Sequence, residues 1–179
     1  NGFALRLAAQ GLGRMYTAVP ENSSRFFDVG TGDWNFDVDV RGVADLAWGS
    51  VGARLSGGYV RQFAKAQTRR ITPIDQPIGF ADTEAPVSWD PGDIVTLRAQ
   101  PFLRLARTLA LHAGVAFTDR GEDTYTFLPG QDPTDLPDPS LLNAGTAWTM
   151  TTFSAGLSYA HDGVDRRGRR KLPMDAHLE

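Results

Sequence analysis

The chain reads as all-β: an antiparallel up-and-down barrel or partial barrel of about six long strands, with short turns on one rim and long loops on the other. Three observations predict this. Apolar residues recur at every second position over stretches longer than an ordinary strand, charged residues occupy the opposite parity, and tight turns alternate with long polar segments.

The clearest stretch is Trp34–Trp48. Its even positions are Trp34, Phe36, Val38, Val40, Gly42, Ala44, Leu46 and Trp48, and its odd positions include Asp37, Asp39, Arg41 and Asp45. Side chains alternate across a strand, so one face is apolar and the other charged; helical spacing would scatter those charges around a cylinder. At about 3.3 Å per residue the stretch extends roughly 50 Å, well beyond a usual strand of about five or six residues. Past Gly49-Ser50 the alternation resumes with Val51, Ala53, Leu55, Gly57, Tyr59 and Phe63 against Arg54, Ser56, Gly58 and Gln62, which makes a hairpin with a tight turn. Arg61 interrupts the apolar set. Residues 64–93, polar and punctuated by Pro73, Pro77, Pro86 and Pro91, read as a long loop.

From Val95 the odd positions Val95, Leu97, Ala99, Pro101, Leu103 and Leu105 are apolar, opposed by Thr96, Arg98, Gln100, Phe102, Arg104 and Ala106. A second tight turn at Arg107-Thr108 leads into Leu109, Leu111, Ala113, Val115 and Phe117. Pro101 followed by good helix formers leaves a helical alternative open here. Asp119 to about Gly145 is a second long polar segment. Thr151, Phe153, Ala155, Leu157 and Tyr159 mark a further strand, Leu172, Met174, Ala176 and Leu178 begin another, and Phe3, Leu5, Leu7 and Ala9 open the first, which runs to about Tyr16. The whole, 1–179, is one domain, expected to be cut within its last strand because no turn or tail follows.

Composition removes several classes of function. Eighteen Lys and Arg against 21 Asp and Glu give a formal charge of -3, so no nucleic-acid partner is expected. The absence of Cys excludes disulfides, thiolate metal sites and cysteine nucleophiles. No apolar run approaches the roughly 20 residues of a membrane-spanning helix.

Side-chain size bears on where the apolar face points. A soluble barrel fills its interior with bulky apolar residues, whereas this face is rich in Ala and Gly. Its aromatics, Trp34, Trp48, Tyr59, Phe63, Phe117 and Tyr159, cluster near strand ends as membrane-interface girdles do. On this pattern and the loop asymmetry the chain resembles bacterial outer-membrane β-barrel proteins. The resemblance implies a transmembrane barrel in the cell envelope of a Gram-negative bacterium, in contact with outer-membrane lipid and inserted by the barrel-assembly machinery. It further implies a porin-like passage role or a structural, surface role, without enzymatic activity. The terminal aromatic strand usual in such proteins is missing, and so is the usual minimum of eight strands; both suit a fragment of a larger barrel. The alternative is a soluble antiparallel barrel or sandwich with the apolar parity inward, binding an apolar ligand.

The charged parity supplies the candidate lumen-lining or pore residues: Asp37, Asp39, Arg41, Asp45, Arg54, Arg98 and Arg104. They read either as an ion-pair network bracing the interior or as a wall that sets ion preference. His112, His161 and His177 are too dispersed for a metal site, and Asp132, Asp135 and Asp138 lack calcium-loop spacing. No nucleophile, phosphate-loop or dinucleotide motif is present, so catalytic residues, metals and cofactors are not expected. The basic run Arg166–Lys171 reads as a solvated turn or a contact for lipid headgroups.

Overall fold

A computed structural model describes residues 2–15, 35–71, 83–131, 134, 136–161 and 174–178. Among these residues ten strands are formed, in chain order: β1 (Phe3–Arg14), β2 (Asp37–Trp48), β3 (Val51–Gln62), β4 (Lys65–Arg70), β5 (Glu84–Asp90), β6 (Ile94–Arg104), β7 (Leu109–Arg120), β8 (Thr124–Phe127), β9 (Trp148–His161) and β10 (Met174–Leu178). They make a seven-stranded antiparallel sheet in the order β1-β2-β3-β6-β7-β9-β10 and a three-stranded sheet in the order β4-β5-β8. Six strands of the larger sheet have 11 to 14 residues.

The period-two segments become strands as their alternation demands. Trp48 faces Val51 across the Gly49-Ser50 turn, and Gly49 takes φ +61°, a conformation that favours glycine in such hairpins. The helical alternative over 101–111 is not realised: β6 pairs with β3 and β7, and this pairing overrides local propensity. Pairing with β7 lapses at Gln100 and Pro101, where proline has no N–H to donate. Among the described residues β1 pairs only with β2, and β10 only with β9, so the sheet is open rather than a closed barrel.

The two segments expected as loops are corrected by the structure. Residues 64–93 contain β4 and β5, and 119–145 contain β8 and a short 3-10 helix, Pro139–Asn143. Together they build a small capping unit whose core is Ile71, Ala85, Val87, Trp89 and Tyr125, with Leu136, Leu141 and Leu142 packed against it. Trp89 and Tyr125 stack at 6.2 Å, and the Lys65 ammonium lies 4.9 Å from the Trp89 ring centroid. The loop expectation failed because these apolar residues are few and interrupted by Pro86, and the residues that cover them come from a distant part of the chain.

The cap continues the three central strands of the main sheet. β4 follows β3, β5 precedes β6 and β8 follows β7, and the order β4-β5-β8 repeats β3-β6-β7. Register survives the interruption without slip: Tyr59 faces Val95, and six residues on, Lys65 faces Trp89, six residues back. Backbone bonds from Gly121 N to the Asp93 carbonyl (2.9 Å) and from Ile71 N to the Thr83 carbonyl (3.0 Å) keep the same ladders. Parity is therefore preserved across this waist, while the treatment of the apolar positions reverses. Above it Val87 and Ile71 are 0% exposed; below it Leu97 is 55%, Leu7 74% and Phe153 79% exposed.

Candidate functional site

On β7 the polar parity is the sheltered side, whereas on β1 both parities are exposed. Along β7 the even positions His112, Gly114, Ala116 and Thr118 are half-buried, and the odd positions Leu111, Ala113, Val115 and Phe117 are exposed. A cavity of about 520 Å³ on the polar side is lined by residues from β1 (Arg6), β2 (Asp45), β3 (Arg54), β6 (Gln100, Phe102, Arg104), β7 (His112) and β9 (Ser158). β1 and β9 are five strand spacings apart, about 24 Å in a flat sheet. For both to line one cavity, the sheet rolls around its polar face, as the twist of long strands favours.

Three ion pairs organise that face. The Arg14 guanidinium donates to Asp37 at 2.7 Å from the neighbouring strand. Arg41 holds Asp39 on its own strand, through Nε at 2.9 Å and through a second nitrogen at 2.6 Å. Arg54 grips Asp45 in a two-pronged arrangement at 2.7 and 3.0 Å. Asp37 and Asp39 are buried, and each is paired, as a carboxylate removed from water requires. Of the predicted cluster, only Asp45 meets Arg54. Arg98 faces Ser56 on one side and Ala116 on the other, and Arg104 faces Ala110; neither has an ion-pair partner among the described residues.

The predicted girdle residues Trp48, Tyr59, Phe63, Phe117 and Tyr159 are all exposed; Trp34 lies outside the described residues. Trp48 and Tyr159 stand at the turn end of their strands, and Tyr59, Phe63 and Phe117 at the waist end. Val40, the partner of Tyr59, is eight residues from Trp48 on β2, and Thr151, the partner of Phe117, is eight from Tyr159 on β9. Both intervals are about 26 Å along the strand. Arg61, which broke the apolar pattern, sits at the waist: it bonds Asp93 at 3.0 Å and Asp90 at 3.4 Å, beside the Tyr59 hydroxyl that donates to Asp93.

Sequence reasoning missed a second polar centre, between sheet and cap. Asp123 is buried and accepts from Trp89 Nε1 (2.9 Å), Gly92 N (2.9 Å) and Arg120 (2.6 Å). Arg120 also donates to the Thr146 carbonyl at 3.1 Å, and Asp123 N donates to Thr146 Oγ1 at 2.9 Å. Gly92 passes so close to the Gly121 backbone that a Cβ would collide with its carbonyl. The available signals were Asp-Pro-Gly-Asp at 90–93 and Arg-Gly-Glu-Asp at 120–123, two glycine breaks that face one another. Arg6 and Arg14 were also missed as partners, because the Ala-rich first strand showed its charged parity weakly. The basic run Arg166–Lys171 lies outside the described residues, as do Asp132 and Asp135.

The fold and the site define a class: an open antiparallel sheet, among the described residues, with one bare apolar face and one ion-paired face. No protein-family model matches the chain, and no curated protein matches it in sequence.

Proposed function

We propose that the chain is an outer-membrane β-barrel protein, or part of one, whose polar parity lines the interior and whose apolar parity meets lipid. The observation that carries this reading is the reversal at the waist. The same apolar parity is covered by protein in the cap and left bare on six neighbouring strands below it. Soluble monomers rarely expose more than roughly 300–600 Å² of contiguous apolar surface, and lipid is the solvent in which such a face costs nothing. Strands of 11 to 14 residues meet or exceed the roughly 9–11 that a tilted membrane strand needs. Aromatics stand at two levels about 26 Å apart along the strands, which at a tilt of about 40° is roughly 20 Å of height, inside an apolar band of about 25 Å. Its partners are then outer-membrane lipid and, during insertion, the barrel-assembly machinery.

The role supported best is non-enzymatic bracing of a barrel interior, because each of the three β2 aspartates is held by an arginine. Passage of solutes is the functional extension. The experiment folds the full-length protein into phospholipid vesicles and adds protease. Cap segments are cut and fragments spanning 37–62 and 94–120 survive; early cleavage within 37–48 refutes the reading. In planar bilayers, Asp37→Asn with Asp39→Asn frees Arg14 and Arg41. A conducting lumen shifts towards anions, while a braced, closed one loses stability without a change in conductance.

A further inference from the structure

The polar parity of β1, β2, β3 and β6 carries six arginines and three aspartates. Arg14, Arg41 and Arg54 each take one aspartate. Arg98 and Arg104 therefore remain without a carboxylate among the described residues, while Arg6 faces Asp45 across the β1–β2 ladder, within Coulombic reach of it but without a direct ion pair. The surplus is unevenly placed. Near the waist, Arg14–Asp37 and Arg41–Asp39 balance; towards the turns, Arg6, Arg54 and Arg104 surround one cavity of about 520 Å³ with Asp45 as its sole carboxylate. Asp45 is occupied on both oxygens by Arg54. Gln100 and Ser158 add an amide and a hydroxyl to the same wall.

Guanidinium forks match the paired oxygens of phosphates and carboxylates, and charge-assisted bonds are about twice as strong as neutral ones. Like charges gathered around one cavity repel unless a counter-ion sits among them. We infer that the turn-end cavity is an anion site, taking small oxyanions of the phosphate or carboxylate class, with Arg104 as its free ligand and Arg6 and Arg54 shared with Asp45. This deepens the barrel reading and rests on it for the direction in which the wall faces.

Inorganic phosphate is titrated by calorimetry into the full-length protein folded in phospholipid-free detergent. Saturable binding is expected, weakened at least tenfold by Arg6→Gln with Arg104→Gln and tightened by Asp45→Asn, which releases Arg54. Arg104→Gln alone, at an exposed position without an ion-pair partner, keeps the test open if a double variant fails to fold. Absence of saturable binding, or unchanged affinity in the folded arginine variants, overturns the site. A parallel titration with short-chain phosphatidate assigns the site to lipid headgroups if it binds more tightly than phosphate, and to free solutes if it binds less tightly. Heat-dependent gel mobility and protease protection in vesicles report the barrel separately. An inserted protein blind to both phosphates sinks the anion site alone, and a phosphate-binding protein that never inserts sinks the barrel alone.

Discussion

Leu55→Arg is the substitution that separates lipid from water at the apolar face. Leu55 is exposed on β3, four residues from Val51 at the turn end and four from Tyr59 at the waist end, about 13 Å along the strand in either direction. It is thus mid-band. An arginine at the midplane of a membrane barrel costs roughly 2–4 kcal/mol, falling to about 0–1 kcal/mol near the interfaces. Leu55→Arg and Val51→Arg should therefore differ by about 2–3 kcal/mol, roughly 30- to 140-fold in the folding equilibrium. Reversible denaturant unfolding in phospholipid vesicles measures both, with the midpoint shift read at unchanged slope. An exposed position in water tolerates substitution within about 0.5 kcal/mol. Two variants that both stay within that range would refute the lipid-facing assignment, however well the strands formed.

Three further outcomes follow from the cap and its junction. Asp123→Asn removes the charge that holds Arg120 and should destabilise by about 3 kcal/mol, read as earlier loss of Trp89 fluorescence order and faster proteolysis of the cap. Gly92→Ala drives a Cβ into the Gly121 backbone and should cost about 1–3 kcal/mol by the same unfolding measurement. Asp138 caps the 3-10 helix, and the Ser140 backbone N–H bonded to it at 2.9 Å holds its carboxyl below the ordinary aspartate value. Because the folded value lies below the unfolded one, its contribution is present above the unfolded value and is lost as pH falls through the folded value. The Ser140 amide resonance should titrate with a midpoint below 3.8, and Asp138→Ala should abolish that titration.

The long strands were legible because a period of two, sustained over a dozen residues, has no helical counterpart, and a one-residue slip would turn every apolar side chain to the wrong face. Leu46, Leu55 and Leu97 declared their parity in this way. Which arginine meets which aspartate was not legible. Arg41 turns to Asp39 on its own strand, while Arg14 reaches Asp37 from a strand whose pattern is weak. The cap was hidden for another reason. Ala85, Val87 and Trp89 are buried only because Tyr125 and residues near the 3-10 helix return to cover them, and no local periodicity encodes a cover supplied some 50 positions later.

The slip-free register at the waist means that a single pair of ladders runs through two surroundings. Strand pairing is indifferent to the boundary between them; only the covering segment marks it. The waterline is therefore adjustable. On the barrel reading, extending the cover so that it shields Val95 as it shields Trp89, or trimming it to bare Val87, would shift the boundary by steps of two residues, about 6–7 Å along the strand, with no hydrogen bond of the sheet re-registered. If the barrel reading holds, the sheet is fitted to membranes of different thickness by changes in the covering residues around Leu136, Leu141 and Leu142, outside the strands of the larger sheet.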